Sequence, residues 1–191
     1  MCFLNFIITD DFISVICDGQ LSIGDVAVEN NYKKFIVYQN KYIFASTGHN
    51  TPWEYAKKEI EKIDNLNFDE LKQIIQQTAK SFKGSLTKET EHNAEFSLYL
   101  SAFHEGKAQV FRIYVNGNNL QEDIFYAPQS VVSNPSDINF DAGTIISENI
   151  KVTNNRYMLS NVISSQKKAL NFVADISNTV NHIVFHKVIR K

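Results

Sequence analysis

Two runs at the head of the chain, Phe3–Thr9 and Phe12–Asp18, are dense in Ile, Val and Phe, and only Asp10-Asp11 separates them. Short β-branched and aromatic runs on either side of a two-residue polar break read as a β-hairpin. A two-residue loop pairs residues whose numbers sum to 21, so Cys2 faces Gly19 and Phe3 faces Asp18. An acidic pair is a weaker turn signal than Asn-Gly, which leaves a loop one residue longer open. With strict alternation of side chains, Asp18 points to the opposite face from Cys2, and a bulge or a longer turn would bring them together. Cys17 falls on the same face as Cys2, diagonally placed.

A second apolar pair follows at Lys34–Tyr38 and Tyr42–Thr47. The period then changes. Thr51-Pro52-Trp53-Glu54 has the form of a capped helix start, and Trp53, Ala56, Ile60 and Ile63 make one helical face. Asn67 is placed to cap a second helix whose stripe is Leu71, Ile74, Ile75, Thr78, Ala79 and Phe82, with Gly84 as its stop. Strand character returns at Glu95–Phe103, Gln109–Val115 and Asp123–Ala127, with Asn116-Gly117 as a turn. Pro128–Asn155 reads as loops with a short strand or two. A third helix is expected over Tyr157–Ser177 and a last strand over Ile183–Ile189. This order suggests helices layered on antiparallel sheets, an α+β design.

The chain has 191 residues with 19 basic and 21 acidic side chains, a formal net charge of −2. The length suits one domain spanning residues 1–191. The charge balance gives no electrostatic reason to bind nucleic acid or anionic lipid. The longest apolar stretches, such as Phe12–Cys17, fall far short of the ~20 residues that span a bilayer, and no secretory leader is visible. Two cysteines exclude a disulfide scaffold, so a cytoplasmic location is expected and Cys17 reads as a buried thiol. Histidines 182 and 186 would lie roughly 13 Å apart on a strand, too far for one metal. His49, His92 and His104 share no ligand spacing with either cysteine. Neither a metal nor a cofactor is expected.

Cys2 is the first residue able to carry chemistry. Removal of Met1 would leave a thiol and a free α-amine on one residue. The amine, at about 7.7–8.0, can take the thiol's proton near neutral pH, which joins nucleophile and general base. As a plain residue, Cys2 is a small apolar side chain opening a strand.

Cys2, Cys17-Asp18-Gly19, Gly24, the NNYKKF of Asn30–Phe35 and the FASTG of Phe44–Gly48 together resemble the N-terminal-nucleophile hydrolases, most closely the proteasome β-subunit group and its bacterial relatives. These elements keep step with that pattern without a gap from Cys2 to Gly48. The ALNFVADIS of Ala169–Ser177 is similar to the family's last helix, where an aspartate supports the nucleophile.

The resemblance implies a four-layer αββα sandwich of two antiparallel sheets and an amide-bond hydrolase acting on peptides or a small amide. By the same resemblance, Cys2 attacks the carbonyl and Lys34 lowers the thiol pKa. Asp18 holds that lysine, Gly48 offers a backbone N–H to the oxyanion, and Asp175 orients the terminal amine. Ser22 would contact an extended peptide, and Leu21, Tyr32 and Ser46 would line its side-chain pocket. A homo-oligomer and an unfoldase partner are implied too. Two features motivate a second reading, a catalytically silent assembly or binding subunit. The Gly-Ser-Gly turn expected before the third helix has only Ser130 and Ala142-Gly143 as its nearest counterparts, and a retained Met1 would leave the amine acylated and remove the proposed base. Cysteine also stands where the family usually has threonine.

Overall fold

The opening hairpin forms in the register that the arithmetic requires. In the structure, a computed structural model, β1 (Leu4–Ile8) and β2 (Phe12–Asp18) pair antiparallel from Leu4↔Cys17 to Ile8↔Ile13. The Thr9 amide donates to Phe12 O at 2.9 Å, leaving Asp10 and Asp11 as the loop. Thr9 Oγ1 accepts the amides of Asp11 and Phe12 and so substitutes for a glycine-based turn. Residues 2–23, 26–84, 95–150, 152–153 and 156–191 are described; Met1, Gly24 and His92 lie outside them.

In chain order there follow β3 (Leu21–Ile23), β4 (Val26–Glu29), β5 (Phe35–Tyr38), β6 (Tyr42–Gly48), α1 (Asn50–Glu61) and α2 (Phe68–Phe82). Then come β7 (Glu95–His104), β8 (Lys107–Asn116), β9 (Asn119–Tyr126), β10 (Gln129–Ser133) and α3 (Ala142–Asn149). The chain closes with β11 (Val152–Thr153), β12 (Arg156–Tyr157), α4 (Leu159–Ile176) and β13 (Val184–Arg190). No helix among the described residues is long and apolar enough to cross a membrane.

Two compact units are present. The first holds the chain up to Lys34 and from Ala127 onward. Its sheet runs β10-β1-β2-β13, antiparallel throughout. Helix α4 buries Val162, Ser165, Gln166, Ala169, Leu170 and Val173, the three-and-four spacing of one helical face. That face meets Phe3, Ile7, Phe12 and Ile16. A polar network interrupts this core. Gln166 Nε2 donates to Asn5 Oδ1 at 2.7 Å, and its Oε1 accepts Ser14 Oγ at 2.6 Å. Asn5 Nδ2 donates in turn to Ser130 Oγ and Val131 O, both at 3.0 Å. Every partner is supplied, so the buried amides are satisfied.

The second unit, Phe35–Tyr126, is an antiparallel meander in the order β5-β6-β7-β8-β9, with α1 and α2 packed on it. The β8–β9 turn centres on Gly117 at φ +56, between paired Asn116 and Asn119. Asn67 caps α2 as expected, and Glu70 completes a reciprocal capping box. Helix α1 departs from expectation. It begins at Asn50, capped by His49 through Nδ1, so Thr51 is inside the first turn and Pro52 sits where an unpaired N–H would be lost anyway.

One further expectation is corrected, and one element is added. The stretch read as loops contains the eight-residue helix α3, capped by Asp141. Gly143, Thr144 and two isoleucines weaken its local helix signal; burial of Ala142 and Ile146 stabilises it instead. The β3–β4 hairpin carries no such sequence signal: its Ile23, Val26 and Val28 are exposed and form no half-buried alternation.

Candidate active site

β2 ends in an aspartate that the turn after it puts to use. Asp18 Oδ2 accepts the Gln20 amide at 2.9 Å, an Asx-type turn that stops the strand. Asp18 Oδ1 accepts the Phe3 amide at 3.0 Å. No bulge intervenes, since the register is continuous from Leu4 to Ile8. Instead of being turned toward the face of Cys2, the carboxylate reaches back along the sheet to the peptide joining Cys2 and Phe3. Asp18 is 0% exposed, so its charge needs a partner.

Lys34 is that partner, with Nζ 2.5 Å from Asp18 Oδ1. It is 4% exposed, whereas Lys33 points to solvent. The segment from Asn30 to Lys34 has no regular structure and is held by the Tyr32 amide, which donates to Gly19 O at 2.8 Å. A buried ammonium against a buried carboxylate is a fixed local dipole beside the start of the chain.

Cys2 is 7% exposed and Cys17 is fully buried. Burial pushes the Cys17 thiol up to about 12; the Lys34 ammonium and its backbone N–H oppose this, while Asp18 and Cys2 add to it. Cys17 is therefore a protonated, inert thiol at neutral pH. The same influences put Lys34, Asp18 and Cys2 within electrostatic reach of one point. Four residues named from sequence thus gather at one end of the β1–β2 hairpin.

The remaining candidates are more scattered. Leu21 and Ser22 are partly buried on β3, and Ser22 Oγ accepts Gln20 Nε2 at 3.0 Å. Tyr32 contributes its backbone, as above. Ser46 and Gly48 belong to β6 of the second unit. Gly48 has φ +85, and a Cβ there would lie 2.2 Å from Glu95 O. The β6–β7 ladder alone therefore requires glycine.

Asp175 lies on the exposed side of α4. Its side chain is 66% exposed, 3.4 Å from His182 Nε2, and lines an open groove with Phe140 and Phe172. The helical phase explains this. Two residues beyond buried Val173, a side chain is turned about 200° away from the core. Ser130, a counterpart for the missing turn, is bound to Asn5 on β10, and Ala142-Gly143 opens α3.

Three residues near Asp18 were not anticipated. Asp137 accepts Ser177 Oγ at 2.9 Å, the Asn178 amide at 2.8 Å and Thr179 Oγ1 at 3.2 Å. Partial burial opposes its ionisation, but these hydrogen bonds outweigh it and hold the carboxyl below its usual range. Gln20 Nε2 donates to Asn178 O at 2.7 Å, and Asn181 accepts the Gly19 amide at 3.0 Å. Only the polar density of Ser177–Asn181 could have marked this turn.

No protein-family model and no curated protein matches the chain. Among solved structures it is similar to eukaryotic HslV from Trypanosoma brucei, at 16% identity over 99% of each chain with a TM-score of 0.62. The likeness shows the fold, an α+β arrangement of antiparallel sheets and helices.

Proposed function

We propose that the protein is an amide-bond hydrolase acting on peptides, with Cys2 as nucleophile once Met1 is removed. The observation that carries this reading is the buried Asp18–Lys34 pair tied to the Phe3 amide. It supplies a positive charge and a rigid anchor next to the residue that would do the chemistry. The shared fold with HslV supports a peptidase-like scaffold.

In the proposed reaction the α-amine of Cys2 takes the thiol proton, directly or through water. The sulfur attacks the scissile carbonyl carbon, and the carbonyl π pair moves onto oxygen, where a fixed backbone N–H would donate to it. Collapse expels the amine fragment, which leaves with the proton held by the α-amine. Water then hydrolyses the thioester, returning the thiol and releasing a carboxylic acid. Lys34 stabilises the thiolate, and Asp18 keeps Lys34 in place. Leu21, Ser22 and Tyr32 would contact the substrate. A homo-oligomer that receives substrate from an unfoldase, in the cytoplasm, fits this reading.

Intact-mass measurement and peptide turnover test it. Loss of Met1 together with turnover abolished in Cys2→Ala is the expected result. Retained Met1, with no turnover and no labelling of Cys2 by iodoacetamide near pH 7, overturns it. The exposure of Asp175 favours the second reading, a catalytically silent assembly or binding subunit, with which that same negative result would agree.

A further inference from the structure

Lys34 sits at the end of a segment without regular structure, so whatever fixes that segment also fixes the ammonium. We infer that Asn181 is a positioning residue for the Asp18–Lys34 pair. One side-chain amide spans the two backbone segments that carry the pair. Asn181 Oδ1 accepts the amide of Gly19, the residue after Asp18, at 3.0 Å. Asn181 Nδ2 donates at 3.1 Å to the carbonyl of Asn30, where the Lys34 segment begins. Oδ1 also accepts the Ile183 amide at 3.2 Å, which locks the side chain to its own backbone.

A side-chain amide offers an acceptor and a donor on two separate atoms at once. Asp keeps the acceptor and loses the donor, and Ala loses both. Gly19 is shaped for this approach: a Cβ there would lie 2.8 Å from Ile183 Cγ2 and 3.2 Å from Asn30 O. A side chain at that position would collide with the Ile183 side chain and crowd the Asn30 carbonyl. Gly19 O receives the Tyr32 amide, so both polar groups of the Gly19 residue are used in the same clamp. Gln20 ties the neighbouring carbonyl of Asn178, and the Asn181 link reaches Asn30.

The inference rests on the proposed role of Lys34 in holding the Cys2 thiolate, and it acts through that residue. Loosening the Asn30–Lys34 segment lets the ammonium drift from the thiol, so the thiol loses a proton less readily.

The test is the pH dependence of Cys2 alkylation by iodoacetamide, followed by peptide mass spectrometry on the full chain, in wild type, Asn181→Ala, Asn181→Asp and Lys34→Met. Asn181→Ala is expected to raise the midpoint by about one pH unit, which slows alkylation at pH 7 by about tenfold. Asn181→Asp is expected to fall between wild type and Ala, and it decides the matter if Ala does not fold. A midpoint moved by Lys34→Met but by neither Asn181 variant, even with lowered stability, overturns the positioning role alone. A midpoint that Lys34→Met does not move removes the proposed role of Lys34 and this inference with it.

Discussion

The carboxylate oxygen of Asp18 that receives the Phe3 amide at 3.0 Å is the same one that faces the Lys34 ammonium at 2.5 Å. One buried oxygen thus couples the position of the chain's second peptide bond to the position of a cation. Removing either charge leaves the other stranded without water.

Asp18→Asn and Lys34→Met should therefore each cost about 3–5 kcal/mol of stability, the usual penalty for breaking a buried pair from one side. The double variant should lose clearly less than the sum of the two. Urea denaturation of the four proteins checks this, and strict additivity would show that the charges do not depend on each other.

Cys17 gives a signature at high pH. Its thiol is raised from an ordinary value of 9.0 to about 12 in the folded protein. Between those values the unfolded chain has released the proton and the folded chain still holds it. Stability must then fall as pH rises, by about 1.4 kcal/mol per pH unit from this group. The difference in unfolding free energy between wild type and Cys17→Ala, measured at pH 8 and pH 10, should shrink accordingly. A constant difference would mean that water reaches the thiol.

His186 acts in the opposite direction. Burial of the ring, and secondarily the Lys167 ammonium, hold it below the usual histidine range. Ser14 already donates to Gln166, so the contact of 2.9 Å between Ser14 Oγ and His186 Nε2 is a bond donated by the ring. Below about pH 6.5 the unfolded chain takes up a proton that folded His186 refuses, and stability falls with falling pH. Lys167→Gln should raise the His186 midpoint in an NMR titration; an unchanged midpoint would leave burial as the sole cause.

Gly48→Ala should destabilise the second unit by about 2 kcal/mol or more, since the residue is at φ +85 and the added carbon meets the Glu95 carbonyl at 2.2 Å. Thermal unfolding followed by circular dichroism reads this without reference to activity. A near-neutral substitution would show that the β6–β7 ladder yields there.

The sequence by itself determined what depends on neighbours along the chain. The sum-of-21 register followed from a two-residue loop, and helix α2 followed from its apolar period and the Asn67 cap. The hairpin register brought Asp18 to the end of the strand beside Cys2, whereas Lys34 stood out only through the resemblance of its NNYKKF segment to a known pattern. Tertiary structure decided the rest. Helix α3 has weak local propensity and is held by the burial of Ala142 and Ile146. Asp175 differs from a buried carboxylate only in helical phase, which depends on the face that α4 turns to its sheet. Asp137 and Asn181 matter through hydrogen bonds to residues about 40 and 160 positions away. Such bonds leave no periodic trace, because a single amide or carboxylate can satisfy them wherever the fold brings the backbones together.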